Sequence, residues 1–197
     1  MGQHHGDLKP ALLEAALALV ADGHEGFSLR EVARRAGVSP AAPYHHFPDK
    51  DSLLAAVAEE GFVALDKAIE KAIEKARNPI SRLERMGSTY VRFAITHHAH
   101  YRTMFAPSLK DKQSHPTLEA AARHSFVRLA RAYAAALPHA GEAELRRRAG
   151  LAWALAHGAV ELAADEMYQA ATGEQEIERI AASVGQAMVL LAAEENA

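Results

Sequence analysis

Residues 28–50 read SLREVARRAGVSPAAPYHHFPDK, and several side chains in this stretch are of the kinds that touch nucleic acid. Ala41 and Ala42 are small enough for close approach to base edges and suit contact with a thymine methyl. Tyr44 and His45 follow with polar tips, and His45 can donate to a base acceptor or to a phosphate. Ser28 and Ser39 offer hydroxyls at the starts of two helices, where backbone N–H groups also point outward, and Lys50 adds a point charge. Such groups suit phosphate oxygens. A plainer reading stays open for the neighbours: Tyr44 and Phe47 also suit a core, and His46 an ordinary surface position.

These side chains need two short helices to position them. Leu29, Val32, Ala33 and Ala36 recur at i, i+3, i+4 and i+7, the stripe of an amphipathic helix. Ser28 precedes the stripe and Glu31 lies three residues on, a capping-box start. Gly37 stands just past the helix, where a left-handed residue is needed. Ser39 is then expected to cap a second helix with Pro40 in its first turn. Two helices across so short a turn form a helix-turn-helix, whose second helix is expected to enter the major groove.

Residues 8–62, from LKPALLEAALALV through YHHFPDK to AEEGF, resemble the N-terminal domain of the TetR family of transcriptional regulators. The resemblance implies that Tyr44 bonds the phosphate backbone. Pro43 is a departure, standing where the family most often carries a Leu or Ile that packs the recognition helix onto its domain. At the fourth helical position a proline forfeits one early backbone hydrogen bond. The helix is still expected to form, with its tilt and base contacts left open.

The composition frames this reading. The chain has 197 residues, 49% of them hydrophobic, enough for a real core. Leu, Ala, Glu and Arg dominate and no alternating run reads as a strand, so an all-α protein is expected. There is no cysteine, hence no disulfide framework and no thiolate metal site. No apolar run approaches the ~20 residues of a membrane span, and the first residues lack an apolar signal segment. A cytoplasmic protein without a membrane partner is expected. The formal net charge is −3. Residues 28–50 hold four cationic and two acidic side chains, so nucleic-acid binding rests on the motif and not on bulk charge.

The periodicity predicts helices over roughly 8–22, 50–76, 80–97, 99–105, 117–136, 142–169 and 174–195, besides the two of the helix-turn-helix. Thr172 with Gln175 reads as a capping box for the last. The expected division is residues 1–52 for the helix-turn-helix DNA-binding domain and 53–197 for a helical ligand-binding and dimerisation domain. The boundary falls at the start of a long helix, so a rigid rod is expected to join the parts.

Residues 152–166, AWALAHGAVELAADE, resemble the WHG signature of one C-terminal class of the same family. Trp153 and His157 share a helical face at i, i+4, and Gly158 suits close approach of another helix. This helix and the last are apolar nearly all round, as helices covered on two sides are. The resemblance implies that two such helices from each of two subunits form the four-helix bundle of a homodimer. It also implies a small-molecule effector pocket, for which Tyr90, Phe93, His97, Met104, Phe126, Tyr133, Trp153 and His157 are candidate liners. The same aromatics suit plain core, and Glu161 can equally serve as the polar partner of His157.

No cofactor or metal is expected. His97, His98 and His100 cannot all converge from one regular helix, and no thiolate is at hand. His4 and His5 read as a disordered start. The expected function is a ligand-released repressor of a double-stranded palindromic operator. The alternatives are an all-helical metal-assisted enzyme and a helical adaptor that has lost DNA binding.

Overall fold

The computed structural model of the chain describes residues 8–24, 26–109 and 114–193, so His4 and His5 lie outside the described residues. All regular elements among them are helical. Two compact units emerge, Met1–Phe62 with His98–Ala121, and Val63–His97 with Ala122–Ala197.

In the first unit, α1 (Leu8–Ala21) buries Leu12, Ala15, Ala16 and Leu19 along one face, with Leu13 and Val20 beside them. It packs on α2 (Leu29–Arg35) and on α5 (His98–Met104). Ser28 caps α2 as its spacing predicts. Its side chain accepts from the Glu31 N–H at 3.3 Å, and Glu31 accepts from the Ser28 N–H at 2.7 Å. Gly37 has φ +69°, with the Gly37 N–H bonded to Arg34 O and the Val38 N–H to Ala33 O. Those two bonds close the helix in a Schellman turn. Arg35 then pairs with Asp22 at 2.7 Å, tying the ends of α1 and α2 together.

The second helix of the motif differs from expectation. Ser39 does not cap an α-helix, and the regular element is a single 3₁₀ turn, Ala42–His45, with no side-chain cap. Its bonds run three residues back: Ala42 N–H to Ser39 O at 3.0 Å, Tyr44 N–H to Ala41 O at 3.2 Å, His46 N–H to Pro43 O at 3.0 Å. Pro43 is the cause. It has no N–H to give to the Ser39 carbonyl, its ring crowds that carbonyl, and it restricts Ala42. The Ser39 carbonyl is taken one residue early, which tightens the winding. Pro43 itself is buried, filling the packing position that the family gives to a larger aliphatic.

Asp49 starts α3 (Lys50–Ile73), accepting from the Ser52 N–H and hydroxyl at 2.7 Å each. These bonds hold the Asp49 carboxyl below its ordinary range. Leu53, Val57 and Ala58 of α3 are fully buried in this unit, and Phe27 and Phe47 nearly so. The dividing line between the units falls inside α3 and again inside α6 (Pro116–Ala136).

In the second unit, α4 (Pro79–Thr96) makes its most extensive packing with α9 (Ile177–Leu190) and also packs on α7 (Glu142–Ala164). Asn78 caps α4 through Ser81. Gly185 permits the α4–α9 approach, since a Cβ there meets the Glu84 carbonyl oxygen at 2.6 Å and the Ser88 hydroxyl. Gly158 was expected to serve such an approach, but nothing lies within 4 Å of a Cβ built on it.

The helix expected over 142–169 breaks after Ala164. Glu166 adopts φ +58° and a short α8 (Met167–Thr172) follows. Glu161, Asp165 and Glu166 crowd negative charge onto a helix C-terminus, which the helix dipole disfavours. The Thr172–Gln175 capping box is also corrected. Thr172 Oγ1 donates to Tyr168 O at 2.7 Å, and α9 starts after Glu176 with no side-chain cap.

Candidate nucleic-acid interface and effector core

The 3₁₀ turn presents Tyr44, 51% exposed, beside an exposed His45. Ala41 and Ser39 are exposed and Ala42 is half-buried. Phe47, by contrast, is core at 4% exposure. Ser28 is exposed, but its hydroxyl donates to Glu31 at 3.0 Å, so a phosphate would meet its remaining lone pairs or displace that bond. Lys50 lies with its ammonium 4.5 Å from the centroid of the Phe27 ring, a cation–π placement that fixes the stem of the side chain. Arg30 and Arg34 are two cations that the reading of the sequence passed over. They are exposed on α2 and form no ion pair among the described residues. Their i, i+4 spacing on the polar side of LREVARR is the signal that could have found them.

The candidate effector residues divide. Met104 lies in the first unit, fully buried, where a Cβ on Gly61 would meet its side chain at 2.8 Å. The other seven lie in the second. Tyr90 and His157 are brought together, hydroxyl to Nδ1 at 3.3 Å, and the Trp153 ring lies 5.6 Å from the His157 ring. Tyr90, and not only Glu161, therefore meets the need of His157 for a polar partner. Burial pushes the His157 pKa below its ordinary value, opposed by the charge of Glu161. Phe93 stacks on His97 at 4.6 Å. Phe126 is half-buried. Tyr133 is fully buried and its hydroxyl donates to Met188 O at 2.9 Å, so its polar tip is spent inside the core. That burial raises the Tyr133 pKa. Trp153 is 41% exposed, on a helix whose Leu151, Leu155 and Leu162 are also exposed.

The same unit holds a cavity of about 240 Å³ lined by Ile73, Met86 and Ala132 and by the cationic or ionisable Arg82, His124, Arg128 and Arg131. None of these was among the expected effector residues. Among the described residues, no group of three or more His, Cys, Asp or Glu is placed to hold a metal ion, and no helix is long and apolar enough to cross a membrane.

Residues 12–57 match the family model of bacterial regulatory proteins of the tetR family. Residues 83–186 match the tetracyclin repressor-like C-terminal domain. Over 76 residues the chain is 36% identical to the HTH-type transcriptional regulator BetI of Rhizobium meliloti (strain 1021), a match that spans 38% of this chain and 37% of that protein. A solved structure of a protein of unknown function from Rhodococcus sp. RHA1 superposes with a TM-score of 0.80 at 31% identity, over 96% of this chain and 97% of that one. AibR in complex with isovaleryl coenzyme A and operator DNA superposes with a TM-score of 0.67 at 20% identity, over 90% and 96%. At that identity the likeness is one of fold.

Proposed function

The chain belongs to the TetR family of bacterial regulatory proteins, and from that premise we propose that it is a ligand-released repressor binding a palindromic operator as a homodimer. Residues 1–52 read the DNA. Residues 53–197 hold the effector and the partner subunit. The observation that carries this reading is the capped helix-turn-helix with Tyr44 and His45 exposed on its second element. Ala41 and Ala42 face base edges, and Ser28, Ser39, Tyr44 and Lys50 engage phosphates, joined by Arg30 and Arg34.

The effector core centres on Tyr90, Trp153 and His157, whose mix of ring surface and polar tips suits a small molecule. Phe93, His97 and Phe126 of the same unit are its further candidates. AibR, similar in fold, was solved with both an acyl coenzyme A and operator DNA, which supports one fold serving both partners. The apo dimer holds two reading heads roughly 34–36 Å apart, the spacing of successive major grooves. The effector favours another spacing and weakens DNA binding, and by linkage operator DNA weakens the effector to the same degree.

The test is selection of bound duplexes from a random pool by the purified protein. The expected result is an enriched palindrome bound by two chains. Tyr44→Ala should weaken binding to it across sequences, and Lys50→Ala should lower the salt slope by about one. Failure to enrich any sequence at low salt would overturn the reading. The tight winding at Pro43 would then favour an adaptor that has lost DNA binding.

A further inference from the structure

We propose that the cavity lined by Arg82, His124, Arg128 and Arg131 is an anion site, taking the phosphate or polycarboxylate end of a small effector. His124, Arg128 and Arg131 recur at i, i+4 and i+7 on α6, so one helical face delivers all three. Arg82 comes from α4, and Met86 one turn on joins Ile73 and Ala132 in an apolar lining. The charge is local and specific. Residues 122–136 carry three arginines and no carboxylate, in a chain whose net charge is −3.

One acid, Asp66, meets this cluster and answers it only in part. It accepts from the Ser125 hydroxyl at 2.8 Å and stands 3.6 Å from His124 and 3.7 Å from Arg128 Nε. The second distance is beyond hydrogen bonding, and Arg128 Nε is a buried donor with no hydrogen-bond partner among the described residues. Buried charged donors are rarely left so. Arg82 and Arg131 are exposed and form no ion pair among the described residues. Three guanidinium groups around one concavity repel one another until a multiply charged oxyanion joins them. Guanidinium groups bind phosphate and carboxylate through paired hydrogen bonds that neutral ligands do not offer.

Size narrows the ligand further. A cavity of about 240 Å³ falls below the roughly 300–1,000 Å³ of pockets that enclose a whole drug-sized molecule. It suits a charged end group, with the rest of the ligand outside. A regulatory consequence for this site rests on the regulator reading above, whereas anion binding itself does not.

The experiment is calorimetric titration of the full-length chain without DNA, at constant ionic strength, with inorganic pyrophosphate in one arm and citrate in the other. One anion per chain is expected to bind. The double variant R82Q/R131Q should lose about tenfold or more in affinity, because it removes two charge-assisted partners. R123Q makes half that charge change on α6 outside the cavity and should stay close to the parent. Arg82 and Arg131 are exposed, so the double variant is expected to melt with the parent in the absence of anion. Tighter binding of pyrophosphate assigns a phosphate ligand, and tighter binding of citrate a carboxylate. No binding of either anion, or equal binding by R82Q/R131Q, overturns the proposal. DNA selection is measured apart, so a failed operator search leaves the anion result readable.

Discussion

His157 concentrates the chemistry of the second unit in one titratable side chain. Its Nδ1 meets the Tyr90 hydroxyl, and burial favours the neutral ring, against the opposing charge of Glu161. Above the ordinary value of 6.5 the ring is neutral in both folded and unfolded chains and stability is intact. As pH falls through that value the unfolded chain takes the proton first. Stability then declines until the folded ring, with its lowered pKa, is protonated too. His157→Gln keeps a polar group near Tyr90 and removes the titration, so its melting temperature should fall less than the parent's between about pH 7 and 5. Parallel melting curves against pH for parent and variant would show that another group carries the decline. The sequence offered Glu161 as partner because it lies one turn away. Tyr90 is 67 residues distant, and no local pattern announces such a contact.

At the scale of the element, local chemistry was legible wherever a side chain bonds within its own turn. The Ser28–Glu31 box and the Gly37 turn both form as spacing predicts. Pro43 shows where this fails. The missing N–H was legible, but the 3₁₀ winding of Ala42–His45 depends on the next bonds following the first, and the four-residue spacing returns only where the Phe47 N–H meets the Pro43 carbonyl at 2.8 Å. Glycines divide in the same way. Gly158 and Gly185 look alike in sequence, yet only Gly185 has a helix against it, because contact between α4 and α9 is a tertiary fact. The Glu84 backbone oxygen that a Cβ would meet cannot rotate aside. Gly185→Ala should therefore destabilise by roughly 1–3 kcal/mol, as overpacked cores do. Gly150→Ala, with nothing within 4 Å, should instead be neutral or gain up to about 1 kcal/mol from helix propensity. Denaturant midpoints of the two variants decide it, and equal midpoints would remove the close approach as the reason for Gly185.

At the scale of the whole molecule, α7 is inverted relative to an ordinary amphipathic helix. It buries four alanines, Ala149, Ala152, Ala156 and Ala159, with Val160, and leaves Leu151, Leu155 and Leu162 between 39% and 45% exposed. Small residues inside let α4 and α9 pack closely, while large leucines outside contradict the usual ordering unless a second surface covers them. The sequence showed apolar character all round this helix, but only the fold tells which side the chain itself consumes. The exposed leucines fall at i, i+4 and i+11, one face, with the unencumbered Gly158 beside them. In the proposed homodimer a second copy of the chain would cover such a face symmetrically. Dimerisation is also what the reading head requires, since one short 3₁₀ element reads too few bases to be specific alone. Leu155→Glu tests both statements together. In the monomer the carboxylate reaches water, so folding and helix content should be unchanged. In the dimer it would be buried without a partner, which is strongly unfavourable. The expected outcome is a folded monomer by sedimentation velocity at concentrations where the parent is a dimer. That monomer should still bind a half-site weakly and lose the steep preference for the full palindrome. A Leu155→Glu chain that sediments as the parent does would place the partner surface elsewhere, and would leave the exposed leucines of α7 without their explanation.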